Sequence, residues 1–233
     1  MGDPTLHALR LSADLAGRTV LDGVAVTVHA GELVAVVGAN GAGKTTLLRA
    51  CAGLLPEATG TLALAGRDPR TTSPRDLAGL RAYAPSHPEA AWDFTVDELG
   101  GLGLDPAGFG VWRDRFGLRD KSATRLSRLS GGERKTAHLC LTFAALGDAF
   151  GKTLLLDEPT AALDLGRTEL VARAVRATTQ AGAAVLAATH DLTWARACDR
   201  VLVLQEGRLV ATGKPADVLT ADVVRATWGG VSA

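Results

Sequence analysis

The order of apolar and polar residues divides the chain into strand-like and helix-like segments. Residues 6–11 and 23–29 alternate between apolar and polar positions on either side of a turn at residues 16–18, which predicts two antiparallel strands. Three later runs are almost entirely apolar, which is typical of strands that are buried on both faces of a parallel sheet. These runs are residues 33–37, 153–156 and 184–189.

Helix-like segments alternate with these strands. Residues 44–55 form a predicted helix that Pro56 ends, and residues 164–180 form an amphipathic helix with Asp164 near its start. The other predicted helices are 74–79, 192–198, 215–220 and 221–228, and the other predicted strands are 60–65, 80–84 and a hairpin of 201–205 with 208–212. This alternation predicts an α/β fold with a doubly wound, mainly parallel sheet, in which ligands bind at the carboxyl ends of strands.

Residues 86–147 differ from the rest of the chain. They contain no convincing strand, and their helix-like pieces, 95–102, 109–116 and 132–146, are interrupted by glycine and proline. We therefore predict a single domain over residues 1–233. Its α/β core would be formed by residues 1–85 and 148–233, with residues 86–147 as an inserted helical subdomain.

Composition and charge argue against several classes of protein. The 25 basic and 25 acidic side chains cancel and no basic run is present, so we expect no nucleic-acid partner. The three cysteines are far apart in apolar segments, which favours core residues in a reducing cytosol over a disulfide or a metal site. No apolar stretch reaches the roughly 18 residues of a membrane span, and no signal-peptide core is present. We expect a protein that neither crosses a membrane nor is secreted.

The segment with the clearest chemistry is GANGAGKTT, residues 38–46, which joins a predicted strand to a predicted helix. Its glycines allow backbone N–H groups to point inward at the positive end of the helix dipole, and this makes a cradle for a polyphosphate. Lys44 can reach the β- and γ-phosphates, Thr45 can offer its hydroxyl to Mg²⁺, and Thr46 can contact phosphate. This is the Walker A pattern. An ordinary strand-to-helix turn in a glycine-rich chain is the alternative.

Two further motifs favour a phosphate site. TLLLDEP ends a hydrophobic strand with two acids, of which Asp157 is positioned to hold Mg²⁺ and Glu158 to polarise an attacking water. LSGGE places Ser130, Gly131 and Gly132 before a helix, where they can grip a phosphate, although a simple helix cap fits equally. Since two helix starts cannot both be the primary pocket of one γ-phosphate, we expect the second to complete the site of another molecule.

These three motifs, with Asp164 and His190, resemble those of ATP-binding-cassette (ABC) ATPases over nearly the whole chain. The resemblance implies a P-loop NTPase fold with N-terminal antiparallel strands and an inserted α-helical subdomain. It implies ATP and Mg²⁺ as cofactors and ATP hydrolysis coupled to transport. It also implies a head-to-tail, ATP-dependent homodimer, in which each ATP lies between Walker A of one copy and LSGGE of the other. The partners would be separate transmembrane permease subunits, with the chain peripheral on the cytoplasmic face of the membrane.

The resemblance also assigns residue roles. Glu158, His190 and Lys44 would be catalytic, and His190 would contact the γ-phosphate and steady Glu158. Asp164 would lie in a loop that communicates across the dimer, and Thr45 and Asp157 would hold the metal. The residues expected to bind nucleotide are Gly38, Asn40, Gly41, Ala42, Gly43, Lys44, Thr45, Thr46, Ser130, Gly131, Gly132 and Asp164.

The chain departs from the family pattern at two positions. Ser86 stands where the family carries a glutamine that reaches Mg²⁺, so either His87 substitutes, the metal lacks this ligand, or coupling is weaker. Leu15 stands where an aromatic residue stacks on adenine. Residues 90–99 and 213–228 resemble the importer branch for iron-siderophores, haem and cobalamin, which predicts such an importer, with a substrate-binding protein in the same system. An exporter ATPase, a non-transport soluble ABC protein and a degenerate heterodimer partner are the alternatives.

Overall fold

The computed structural model of the protein describes residues 4–88, 92–103 and 105–228. Its strands lie in one sheet of six and one of three. They are β1 (Leu6–Leu15), β2 (Arg18–Val28), β3 (Leu33–Val37), β4 (Thr59–Leu64), β5 (Arg81–Ala84), β6 (Thr153–Asp157), β7 (Ala184–Ala188), β8 (Arg200–Gln205) and β9 (Arg208–Gly213). The helices are α1 (Lys44–Cys51), α2 (Pro74–Ala78), α3 (Val96–Gly101), α4 (Pro106–Arg115), α5 (Gly131–Leu146), α6 (Leu165–Gln180), α7 (Leu192–Arg196), α8 (Pro215–Val218) and α9 (Ala221–Trp228).

The larger sheet has the strand order β5-β6-β7-β3-β8-β9 and is parallel except for its last pair. The three apolar runs form its centre, and every residue of β3, β6 and β7 is buried. Ala188 at the end of β7 is paired with both Val36 of β3 and Asp157 of β6. The carboxyl ends of these three strands are therefore neighbours, and the loops that follow them meet at one edge of the sheet.

The smaller sheet is antiparallel, with the order β2-β1-β4. Its first two strands are longer than the alternation of the sequence predicts, because the register between them shifts at three places, Ala8/Leu11, Leu11/Ala13 and Ala13/Asp14. Each such irregularity interrupts the two-residue period from which the strand ends were predicted. The pairing of β4 with β1 is a long-range contact that no local pattern in the sequence indicates.

The helices follow the predicted order, with small differences at their ends. The first helix ends at Cys51 rather than at residue 55, because Gly53 adopts a left-handed conformation with φ of 72° and stops it before Pro56. Within residues 86–147, the described part contains helices and no strand, together with two short 3-10 turns at Arg119–Lys121 and Leu126–Arg128. The division into core and subdomain remains a prediction. Among the described helices, none has both the length and the apolar character that crossing a membrane requires.

The larger sheet separates two apolar layers. Val34 and Val36 face β1, β2 and α1, whereas Ala35 and Val37 face the layer formed with α4, α5 and α6. The three cysteines are buried and free, as the sequence predicts for core residues. Burial raises the pKa of the Cys51 thiol to about 12. The central strands are thus held on both faces, which fixes the sheet edge where the candidate site lies.

Candidate functional site

The loop of residues 38–43 connects β3 to α1 and depends on glycine at two close approaches. A Cβ at Gly38 would overlap the carbonyl oxygen of Leu204 in β8. At Gly43, which precedes α1 with φ of 101°, a Cβ would lie 2.8 Å from the Val20 carbonyl oxygen. The loop therefore curls tightly against two strands and leads directly into the N-terminus of α1, where the helix dipole favours an anion.

Lys44 is the first residue of α1 and lies across this loop. Its Nζ donates to the carbonyl oxygens of Gly38, at 2.8 Å, and Ala39, at 3.1 Å. The residue is only 8% exposed, and burial lowers the pKa of its ammonium while the charges of Glu158 and Asp157 act in the opposite direction. The fold thus holds a cation over the cradle where a polyphosphate would bind.

Thr45 and Asp157 meet beside the loop. The Thr45 hydroxyl donates to Asp157 Oδ2 at 2.9 Å, and Asp157 is 1% exposed. Its other carboxylate oxygen, Oδ1, is buried and has no hydrogen-bond partner among the described residues. A buried carboxylate oxygen without a partner needs a cation or a water, and a hydroxyl with a carboxylate is an oxygen set that suits Mg²⁺. These residues therefore fit the predicted metal.

Glu158 and His190 follow β6 and β7. Their side chains are hydrogen-bonded, with His190 Nδ1 lying 2.7 Å from Glu158 Oε2. The backbone of Glu158 has φ of 51°, in the left-handed region that favours glycine, and its N–H donates to the Ala188 carbonyl at 2.9 Å. The structure therefore brings together the two residues that the resemblance makes the base and its support, and it places the base in a strained turn.

These elements line a cleft of about 1170 Å³. One wall is the loop and α1, with Glu158 and His190 beside it; the other wall comes from residues before and within α5. The residues of that wall that the sequence motifs do not include are Trp92, Asp93, Leu126, Ser127, Arg134, Lys135 and His138. Gly131, Arg134, Lys135 and His138 are spaced at i, i+3, i+4 and i+7, so the helical period was the signal that could have found them.

The LSGGE segment lies differently from the other motifs. Ser130 caps α5: its hydroxyl accepts from the Glu133 N–H at 3.2 Å, and the Glu133 carboxylate accepts from the Ser130 N–H at 2.9 Å. Gly131 lines the cleft, whereas Ser130 is exposed and does not. Asp164 also lies outside the cleft lining, where it caps α6 with its side chain 69% exposed. A single copy thus brings together the Walker A and acidic motifs, but not Ser130 or Asp164.

The structure shows where the two residues that depart from the family pattern, Ser86 and Leu15, lie. Ser86 and His87 both line the cleft, and His87 Nδ1 lies 3.2 Å from Ser86 Oγ. Leu15 packs against the apolar layer beneath the smaller sheet, and Val20 is the residue of that sheet that lines the cleft. The part of the cleft beside the smaller sheet therefore has an aliphatic surface.

A phosphate cradle between a parallel strand and a helix, with an acidic strand end beside it, defines a nucleoside triphosphatase of the P-loop class. The family model for the ABC transporter matches residues 21–161 of this chain. The chain belongs to this family, as an ATP-binding, ATP-hydrolysing subunit of an ABC transporter. The fold class predicted from the sequence is confirmed, including the N-terminal antiparallel strands.

Similar proteins include three hemin import ATP-binding proteins named HmuV. That of Rhodococcus jostii (strain RHA1) is 38% identical, covering 98% of this chain and 81% of its own length. That of Streptomyces coelicolor is 41% identical, covering 93% and 80%, and that of Bordetella pertussis is 39% identical, covering 97% and 92%.

Two solved structures agree with this fold. An ATP-binding subunit of an ABC transporter aligns with a TM-score of 0.79 at 26% identity, over 98% of this chain and 95% of that chain. A bacterial Atm1-family ABC exporter with ATP bound aligns with a TM-score of 0.83 at 24% identity, over 100% of this chain and 42% of that chain. At that identity the exporter supports the fold alone.

Proposed function

We propose that this chain powers an importer of haem and that its cleft is the active centre. The observation that carries the cargo class is the identity of 38–41% with the hemin import proteins over more than nine-tenths of the chain. The importer-like segments 90–99 and 213–228 support the same branch, although residues 90 and 91 lie outside the described residues. Selection of the cargo itself would reside in other polypeptides.

Within the active centre, the chain's own groups divide the chemistry between them. The inward N–H groups of the loop and the Lys44 ammonium bind the β- and γ-phosphates and stabilise the charge that develops there. Thr45 and Asp157 would hold Mg²⁺, which supplies charge neutralisation at the phosphate oxygens. Glu158 accepts a proton from the attacking water as general base, and His190 holds the Glu158 carboxylate in place through the 2.7 Å hydrogen bond.

The second nucleotide-binding surface serves another copy of the chain. Ser130 is exposed at the start of the 16-residue helix α5, where the helix dipole favours an anion, yet it is not among the residues that line the cleft of its own copy. In a head-to-tail homodimer, this helix start would close over the ATP held by the twin. Asp164, exposed at the start of α6, would lie in the loop that communicates between the two sites.

The partners follow from this arrangement. Separate transmembrane permease subunits would bind this chain at the cytoplasmic face of the membrane, and a substrate-binding protein would deliver haem on the other side. Closing and reopening of the ATPase dimer would shift the permease between two states.

The replacement Glu158→Gln tests the active centre. It removes the base and keeps the shape of the side chain, so we expect turnover to fall about 10²- to 10⁴-fold while ATP binding persists and a dimer accumulates. Steady-state phosphate release and size-exclusion chromatography with ATP measure both effects. The matched control is Glu169→Gln, an exposed glutamate on α6 that is paired with Arg173. Normal hydrolysis by Glu158→Gln would refute the assigned role.

The cargo is tested in the source organism. Deletion of the gene should abolish growth on haem as iron source, and the wild-type gene should restore it, whereas the Glu158→Gln gene should not. Growth with iron-siderophores is measured in parallel. Loss of growth on siderophores with normal growth on haem would show that the importer carries another cargo.

A further inference from the structure

We propose that Lys135 is a positioning residue for the general base. Its ammonium ties the first turns of α5, the helix capped by Ser130, to the main chain of the loop that carries Glu158. This inference rests on the proposed function, since it concerns how that active centre is held in shape. It adds a residue that none of the sequence motifs selects.

Like Lys44, Lys135 is buried and donates its hydrogen bonds to main-chain oxygens, but its two acceptors lie in the turn that carries Glu158. It is 9% exposed, and its Nζ donates to the carbonyl oxygens of Glu158 and of Ala161, the latter at 3.2 Å. Burial lowers the pKa of its ammonium, while the charges of Glu158 and Asp157 act in the opposite direction. Both ends of the turn from Glu158 to Ala161 are thus held by one side chain.

The turn needs such support. Glu158 has φ of 51° and Ala162 has φ of 61°, and neither residue is glycine. Strained residues of this kind persist only where the surrounding contacts determine their conformation. Two of the hydrogen bonds that hold Glu158 come from β7 and the loop after it: its N–H donates to the Ala188 carbonyl, and its carboxylate is bonded to His190. The hydrogen bond from Lys135 to the Glu158 carbonyl comes instead from α5.

The same helix also packs against this turn. A Cβ at Gly132 would lie 3.4 Å from the Ala162 carbonyl oxygen, so the start of α5 and the turn are in direct contact. In the proposed dimer, Ser130 of that helix start binds the twin's ATP. Lys135 lies on the second turn of that helix, so its ammonium connects the helix to the turn that carries Glu158 of the same copy.

The test compares two lysines of similar chemistry. Lys135→Met keeps the apolar stem and removes the ammonium, and Lys135→Arg restores donors. The matched control is Lys152→Met, because Lys152 Nζ donates to the Leu146 carbonyl at 2.7 Å at the far end of the same helix. For each variant, kcat and KM for ATP are measured with the thermal midpoint.

We expect kcat of Lys135→Met to fall about 100-fold with KM nearly unchanged, as for a misplaced catalytic group. Lys135→Arg should recover most of the loss, and Lys152→Met should keep the wild-type kcat. Equal kcat values for Lys135→Met and Lys152→Met would overturn the proposal. A raised KM with normal kcat would also overturn it, because Lys135 would then bind nucleotide. If Lys135→Met does not fold, Lys135→Gln makes the same comparison, and a wild-type kcat in that variant would be equally contrary.

A second arm separates this inference from the proposed function. In the Glu158→Gln background, Lys135→Met should still allow ATP to trap the dimer, because the cap of Ser130 does not involve Lys135. Loss of the trapped dimer would overturn a role confined to positioning. If Glu158→Gln alone hydrolyses ATP normally, the proposed function fails, and the positioning role fails with it. If Glu158→Gln abolishes hydrolysis but the Lys135 variants hydrolyse ATP like the wild type, the proposed function holds and the positioning role of Lys135 is refuted.

Discussion

The replacement Asp157→Asn tests whether the unpartnered carboxylate oxygen belongs to a metal site. The amide has the shape of the carboxylate and keeps one oxygen to accept from the Thr45 hydroxyl, so the ligand-free fold should change little. The replacement removes the negative charge of Asp157, which is 1% exposed and whose Oδ1 lacks a partner among the described residues. The effect should therefore appear when Mg²⁺ and ATP bind together.

The magnitude follows from linkage between binding and folding. At an MgATP concentration of about 100 times Kd, binding stabilises the wild-type protein by roughly 2.7 kcal/mol. For a chain of this size, about 1 kcal/mol shifts the midpoint of thermal unfolding by roughly 2–4 °C, which gives about 5–11 °C. If the charge contributes about 100-fold to MgATP affinity, the same concentration stabilises Asp157→Asn by roughly 0.4 kcal/mol, or about 1–2 °C.

The assay is thermal unfolding in three conditions: without ligand, with ATP and EDTA, and with ATP and Mg²⁺. The metal-dependent part is the difference between the last two conditions. The control variant is Asp217→Asn, which changes an exposed aspartate at the start of α8 and should keep the full metal-dependent shift. A full metal-dependent shift in Asp157→Asn would refute the assignment of Asp157 to the metal.

Two further predictions address the phosphate loop. Lys44→Ala removes a charged donor from the cradle and should weaken ATP binding by about 1.5–3 kcal/mol, roughly 10- to 150-fold in Kd, by isothermal calorimetry; unchanged binding would count against the pocket. Gly38→Ala introduces a Cβ that overlaps the Leu204 carbonyl oxygen and should lower the free energy of unfolding by about 1–3 kcal/mol in a denaturant titration. Gly101→Ala, with no atom within 4 Å of the added Cβ, is the control, and equal stability of the two variants would contradict the packing argument.

Much of the candidate site was predictable because its parts are local. Gly38 to Thr46 carries its conformational requirements in its own glycines, and Asp157 ends a run whose apolar character predicts a buried strand. The rule that ligands bind at the carboxyl ends of parallel strands then predicts that these segments meet. In the structure, β7 pairs in parallel with both β3 and β6, so the segments that follow these strands are neighbours.

Other features depend on contacts between segments distant in sequence. The bulges that lengthen β1 and β2 and the pairing of β4 are settled by sheet packing rather than by local alternation. The burial of Lys135 also depends on such a contact. A lysine on a helix normally reaches water, but Lys135 is buried because α5 packs against the turn after β6. The sequence predicts that Ser130 completes the nucleotide site of another molecule. The distances between Ser130 and that nucleotide would be set by the packing of a second copy, which no local pattern encodes.

The reciprocal cap at the start of α5 affects how a dimer of this ATPase would open after hydrolysis. Ser130 and Glu133 already satisfy each other's main-chain donors in a lone copy, so these two N–H groups stay paired when a twin separates. The Ser130 hydroxyl acts as acceptor in this cap, so its proton could be donated to a phosphate oxygen of the twin's ATP while the cap stays formed. The free energy of such a contact at a helix start would depend on the charge of the phosphate, which hydrolysis changes.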